Sequence, residues 1–315
     1  MLAPINVRFL VTHSGQFHAD DVCTAAILTM AYPKALVIRT RDAAMLAGRR
    51  GQPDTIMFDV GDAYDAERQL FDHHMPGAAK RDDGTTYSAF GLVWKAYGRD
   101  LTEWFGVPMD RSSAVAAAFD AAVVQPIDRF DTGSLDPNGM GDVYSLTLCS
   151  LVDAFNPAFD AEPTNGDRDD AFHRAVQAVA PMLRAQILAI DAKLRTVDMV
   201  EEALRVAGPG NPVLVLPHSC ESQDAIDALG AHHVLYIIHP SSAGGYGVVC
   251  ARQEAGSFVS KRPFPAHWAG LRGTALAQAS GVPDAVFCHT GLFYASATSL
   301  GGARELARLA LLDHA

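Results

Sequence analysis

The 315-residue chain is 49% hydrophobic and 19% charged with a net charge of −11, a composition of a folded, non-fibrous protein long enough for two domains. That acidity argues against a protein that coats duplex nucleic acid, although carboxylates gathered around divalent cations would give the same tally. No apolar run approaches the roughly 20 residues of a bilayer span, no signal peptide opens the chain, and the five scattered cysteines lack zinc or redox spacing. Reduced thiols in a cytoplasmic protein without membrane contact are expected.

In chain order, "VRFLVTH" (7–13) reads as a strand and "DDVCTAAILTMAY" (20–32) as a helix that Pro33 helps to end. "ALVIRTRD" (35–42) and "TIMFDVGD" (55–62) read as further strands, "YSAFGLVWKAYG" (87–98) and "SSAVAAAFDAAVV" (112–124) as helices. Such alternation predicts a parallel sheet covered by helices, with functional residues at the carboxyl ends of the strands. A Pro/Gly/Asp-rich stretch (156–170) leads into a long helical pattern from about residue 171 to 207. Beyond it, "NPVLVLP" (211–217), "HVLYIIHP" (233–240), "YGVVCARQ" (246–253) and "AVFCHTG" (285–291) read as short strands, and "GARELARLALLDHA" closes the chain as an amphipathic helix. The expected organisation is α/β: a parallel-sheet catalytic domain over 1–155, a helical linker over 156–207 and a smaller C-terminal α+β domain over 208–315.

The polar residues at the predicted strand and helix ends of the first domain are His13, His18, Asp20, Asp59, Asp72, His73, His74 and Asp128. A single such residue is ordinarily structural, and "DHH" alone makes an acceptable polar turn. Three clusters that each follow an apolar run share one donor chemistry, however. Imidazole nitrogen with carboxylate oxygen suits Mn2+, Zn2+, Fe2+ or Co2+. A shared carboxylate can bridge two cations about 3.5–4 Å apart, the geometry of two-metal phosphoester hydrolysis.

"THSGQFHADD", "IMFDVGDAYD", "LFDHHMPG" and "PIDRFDTG" resemble the four motifs of the DHH phosphoesterase superfamily. "VIRTRD", "SFVSKRPFPAHWAGLRG" and "SGVPDAVFCHTG" extend the resemblance, over nearly the whole chain, to the melanocyte proliferating gene 1 family. The resemblance implies a DHH-type metal-dependent phosphodiesterase, with eukaryotic relatives regarded as 3′–5′ RNA exonucleases. It implies that His13 and His18 hold one metal, Asp20, His73 and Asp128 the other, with Asp59 bridging. Asp131 is the alternative to Asp128. His74 is implied to touch the scissile phosphate or donate a proton, and Asp72 to orient an imidazole. The implied cofactor is a pair of Mn2+ ions, with Mg2+, Co2+, Zn2+ or Fe2+ as substitutes. Three departures stand out. His18 occupies a position where the superfamily commonly has Asp, Gly273 one where an acidic residue is common, and "GLFYASAT" (291–298) has Tyr294 and Ala295 in place of a glycine pair.

Further candidates contact substrate. Arg39 and Arg41 end the second strand with guanidinium groups suited to phosphate, or pair with Asp42. Thr85, Thr86 and Ser88 precede a helix, where they cap it or cradle phosphate. In the C-terminal domain Ser257, Lys261, Arg262 and Arg272 gather positive charge around Trp268, which either stacks on a base or packs in the core. His289 and Thr290 end a strand. The leading expectation is hydrolysis of short single-stranded RNA or oligonucleotides. Hydrolysis of a small nucleotide or pyrophosphate-type metabolite, and a non-catalytic nucleotide or metal sensor, are the alternatives.

Overall fold

The computed structural model describes residues 3–4, 6–135, 137–254 and 256–313. They form two compact units, residues 1–191 and 192–315. The first contains β1 (Phe9–Thr12), α1 (Ala19–Ala31), β2 (Leu36–Arg39), α2 (Ala43–Arg49), β3 (Thr55–Phe58), β4 (Tyr64–Asp65), β5 (Leu70–Phe71), α3 (Ala89–Trp104), α4 (Met109–Phe119), α5 (Gln125–Asp131) and α6 (Leu148–Asp153). A π-helical turn, Asp120–Val124, joins α4 to α5. The 43-residue α7 (Asn165–Ala207) starts inside the Pro/Gly/Asp-rich stretch and runs through the boundary between the units.

The first sheet has the order β2-β1-β3-β5-β4, parallel except for β4, which is antiparallel to β5. Its strands are short and almost wholly apolar, as parallel strands covered on both faces must be. Val11, Met57 and Leu70 pack on one face with Leu46 of α2. Residues 19–28 of α1 are all buried. Burying Val22, Ile27 and Leu28 contributes about 1.5–3 kcal/mol each and fixes the helix whose first turn carries Asp20 and Asp21.

The second unit holds β6 (Val213–Val215), α8 (Gln223–Ala228), β7 (Tyr236–Pro240), β8 (Tyr246–Cys250), α9 (Gly273–Ser280), β9 (Ala285–Cys288), β10 (Tyr294–Ala297) and α10 (Leu300–Leu312). Its sheet, β6-β7-β8-β10-β9, is parallel only between β6 and β7. The stretch "GLFYASAT" therefore contains an interior strand, β10. Ala295 is fully buried opposite Val248, and a side chain at Gly247 would run into the Tyr294 ring. Tyr294 and Ala295 belong to sheet packing here. Among the described residues no helix is long and apolar enough to cross a membrane.

Candidate metal centre

Three parallel strands end side by side and deliver the polar residues. His13 follows β1, Asp59 follows β3, and Asp72, His73 and His74 follow β5. The Asp59 backbone lies in the left-handed region (φ 55°), a conformation that Asp tolerates better than most side chains, and its N–H donates to the Phe71 carbonyl at 3.1 Å. The second and third motifs are thereby tied together by backbone. α1 adds Asp20 and Asp21 in its first turn, where carboxylates suit the helix dipole. His18 caps this helix, its N–H donating to Asp21 Oδ1 at 2.9 Å.

Asp59 sits between two imidazoles. Its Oδ2 lies 3.1 Å from His13 Nε2 and its Oδ1 3.1 Å from His73 Nε2. His13 Nε2 is also 3.2 Å from Asp21 Oδ2, while His13 Nδ1 lies 3.2 Å from the Ser14 carbonyl. A carbonyl only accepts, so Nδ1 carries a proton whenever that bond forms. Nε2 then faces two carboxylate oxygens, which requires either a second proton or a cation. An imidazole held through its other nitrogen by a backbone carbonyl is a common arrangement for a metal ligand. His73 Nε2 further lies 3.5 Å from Asp131 Oδ2 and 3.9 Å from Asp20 Oδ2. Donor atoms converge to within 4.8 Å in three groups: His13, Asp21 and Asp59; Asp59, His73 and His74; and His18, Asp20 and Asp131.

The electrostatics show a shortage of positive charge. Burial raises the carboxyl of Asp20 well above its ordinary value, with repulsion from Asp59 and Asp131 adding to it. Burial raises Asp21 and Asp131 as well, against the pull of His13 and of His73 respectively. Burial disfavours a charged His13, but its contacts with Asp21 and Asp59 outweigh that and push it up to about 10. Asp59, by contrast, stays below the carboxylate range, because His13 and His73 overcome its burial. Asp20 Oδ1 is buried without a hydrogen-bond partner and Asp21 Oδ2 has only the 3.2 Å approach of His13 Nε2, and such atoms are costly unless something else satisfies them. These donors fit divalent cations in number, type and spacing.

Beside them, Asp72 Oδ1 accepts from both the His73 and His74 backbone N–H groups and lies 2.7 Å from His74 Nδ1, while Oδ2 accepts from Asp62 N–H at 2.6 Å. The hydrogen bond to Asp72 is the main reason that the His74 imidazole holds its proton above the usual range. His74 is half exposed and lines a cavity of about 320 Å³ together with His13, His18, Arg41, Asp59 and Asp131. Arg41 is exposed at its rim, its Nε donating to the Ser14 carbonyl.

Several residues singled out in the sequence of this unit lie outside the converging donor groups. Asp128 is fully buried and is not among the converging donor groups. Its Oδ1 accepts from the backbone N–H and the hydroxyl of Ser88, and its Oδ2 from Arg81 Nε at 2.7 Å, while Arg81 forks onto Asp120. Asp131, one turn on, reaches the cluster instead. Ser88 is likewise buried and committed to Asp128 and to capping α3, and α3 comes so close that a side chain at Gly91 would strike the Asp128 carboxylate. Thr85 is buried too. Arg39 does not face the cavity: it donates to Asp169 and to the Gly15 carbonyl at 2.8 Å each and lies over the Phe172 ring. Asp21 is the residue that sequence reasoning missed. Its signal was the third position of a capping box opened by His18.

In the second unit the candidate cations are engaged with protein. Lys261 Nζ donates to the His232 carbonyl and Arg262 to that of Leu311, both at 3.2 Å, and Arg272 lies 4.2 Å from the Phe287 ring centroid. Trp268 is buried and nearly parallel to Phe264, a core position that leaves no face for a base. His289 Nδ1 accepts from Gly291 N–H at 2.9 Å, its ring against Phe293, and Thr290 is exposed.

The fold and the cluster define an open α/β protein with a candidate metal centre at its strand ends. The chain belongs to the MYG1_exonuc family, described as an uncharacterised protein family (UPF0160), whose model matches residues 9–311. It is 29% identical over 328 residues to "MYG1 exonuclease" of Mus musculus, covering 95% of this chain and 84% of that one. To the protein of the same name from Homo sapiens it is 28% identical over 325 residues (95% and 85% covered), and to "MYG1 protein" of Dictyostelium discoideum 24% identical over 324 residues (95% and 94%). Among solved structures it is similar, at 14% identity and a TM-score of 0.31, to "pGpG-specific phosphodiesterase - PggH from Vibrio cholrae", over 98% of this chain and 99% of that one.

Proposed function

We propose that this chain is a divalent-metal-dependent phosphodiesterase that releases nucleotides from the end of short single-stranded RNA, with catalysis residing in residues 1–191. The observation that carries the reading is Asp59, whose two oxygens each face a different imidazole beside the buried carboxylates of Asp20 and Asp21 and that of Asp131. The name exonuclease borne by the mouse and human relatives supports the substrate class.

His13, Asp21 and Asp59 would hold one cation, and His18, Asp20, His73 and Asp131 the second, with Asp59 shared. Bound divalent ions, with Mn2+ favoured by the mixed nitrogen and oxygen donors, supply an acidified water and neutralise charge on the phosphoryl oxygens. The chain's own groups do the rest. Asp72 fixes the His74 ring through Nδ1, which leaves Nε2 to donate a proton to the departing oxygen. Arg41 offers a guanidinium to a non-bridging phosphate oxygen from the cavity rim. The backbone carbonyl of Ser14 orients both His13 and Arg41.

The test is Mn2+-dependent release of mononucleotides from a short end-labelled RNA by wild type and by Asp59→Asn, a substitution that keeps the left-handed backbone acceptable. We expect the variant to lose about 10³-fold or more in rate, and the label to report polarity. Equal rates in both proteins would remove the site from the reaction. No release by metal-loaded wild type would remove RNA as substrate.

A further inference from the structure

A second cavity adjoins the candidate metal centre within the first unit. It encloses about 350 Å³ and shares Phe130 and Cys149 with the cavity that holds His13, His74 and Asp131. Its walls are otherwise mostly aliphatic, with Ile127 of α5, Leu148 of α6, and Met182 and Leu183 of α7 among them. Its size falls in the range of small-molecule sites, about 300–1,000 Å³. Two features point to what it takes. Phe130 forms the wall between the two spaces, and its ring lies nearly parallel (21°) to that of Tyr144. Tyr144 thus holds the Phe130 ring in place, and a ligand lodged beside Phe130 in this cavity has the donors of the adjoining one next to it, within reach of whatever is attached to it. Gln186, on the exposed side of α7, contributes to this apolar lining a side-chain amide, which offers both a donor and an acceptor.

We infer that this cavity is the base subsite: it receives the nucleobase of the nucleotide whose phosphate lies at the metal centre. The inference rests on the reading of that centre as the phosphate site. Its chemistry is that of sequence-tolerant recognition, in which apolar walls with an aromatic side chain among them accept any base and a lone amide adds a modest edge preference. It also supplies a nucleotide contact in the first unit, where the basic residues predicted from sequence in the second are engaged with carbonyls and rings. The other occupant of so apolar a space would be a side chain from a second copy of this protein.

The experiment measures binding of adenosine 5′-monophosphate and of ribose 5-phosphate, which lacks a base, to the Mn2+-loaded full chain by calorimetry. Met182→Trp, which fills the cavity from its exposed rim, and Gln186→Leu, which removes the amide at constant size, are compared with wild type. Both positions are exposed on α7, so folding is retained, and a thermal melt checks it. Wild type should prefer the base-bearing ligand by roughly tenfold or more. Met182→Trp should abolish the preference by weakening only the nucleotide, and Gln186→Leu should reduce it. Equal wild-type affinity for the two ligands, or a preference unmoved by Met182→Trp, overturns the subsite. A change of oligomeric state in Met182→Trp with the preference intact also overturns it, in favour of a self-association surface. Hydrolysis of bis(4-nitrophenyl) phosphate by wild type separates the two readings. Turnover without base preference sinks the subsite alone, and base preference without turnover sinks the catalytic reading alone.

Discussion

The strand ends of the first unit and the loops of the second present polar residues of similar kinds, and they differ in whether the protein itself answers them. Around Asp59, the buried Asp20 Oδ1 has no hydrogen-bond donor, and His13 Nε2 is shared between two acceptors, Asp21 Oδ2 and Asp59 Oδ2. In the second unit Lys261, Arg262 and Arg272 each find a carbonyl or a ring within the fold. Groups that the chain leaves unanswered mark a place for something else to bind, whereas answered groups hold structure. The same contrast recurs over one helical turn of α5, where Asp128 is saturated by Ser88 and Arg81 and Asp131 joins the cluster.

That contrast can be broken most forcefully at Asp128. If it is structural, Asp128→Ala leaves Ser88 without its acceptor and Arg81 with Asp120 alone, and should lower unfolding free energy by about 1–3 kcal/mol, read from urea denaturation. A variant of wild-type stability that fails to bind Mn2+ would instead make Asp128 a ligand. Next comes His74→Gln, expected to reduce kcat for phosphodiester cleavage by about 10²-fold or more while Mn2+ content measured by mass spectrometry stays near that of wild type. Loss of metal without that kinetic signature would place His74 among the ligands. Metal removal is the third test. If cations bind the folded cluster and quench its carboxylate repulsion, as proposed, chelation should cost about 2–3 kcal/mol of stability relative to protein held at a hundredfold excess of Mn2+ over its Kd, seen as a lowered Tm. An unchanged Tm would mean that protons alone satisfy the cluster. The smallest effect belongs to Lys261→Ala, an exposed side chain on a carbonyl, which should change stability by less than about 1 kcal/mol and leave RNA cleavage within twofold. A larger loss of cleavage would restore a substrate role to that loop.

Much of this was legible in the sequence because strand ends announce themselves. Apolar runs at "VRFLV" and "TIMF" stop at His13 and Asp59, and in a parallel sheet such ends lie together. The two-residue β5 was not recognisable as a strand, yet its position was marked by the "DHH" that follows it. The choice between Asp128 and Asp131 was not legible. Both lie on one helix face, and what separates them is Arg81, 47 positions away, claiming the first. Asp21 was hidden because adjacent helical residues point about 100° apart, so a neighbour of Asp20 is expected to face elsewhere. At the first turn of α1 both are fully buried, and both meet the cluster. Arg39 was misread for a similar reason, its carboxylate partner being Asp169, 130 residues on. "GLFYASAT" resisted reading because a small, mixed strand such as "YASA" owes its place to Gly247 and Val248 on the neighbouring strand rather than to its own pattern.

The π-helical turn at Asp120–Val124 sets the angular phase of everything after it. Such a turn accommodates one residue more than an α-helix does, and each residue advances the helix by about 100°. Dropping a single alanine from Ala121–Ala122 would let α4 and α5 merge into one regular helix and swing Asp131 about a quarter-turn off the cluster, with Asp128 turned away from Arg81 by the same angle. The extra residue thus works as an indexing step between the scaffold and the centre. An insertion or deletion there would rearrange the candidate centre without changing any of its side chains.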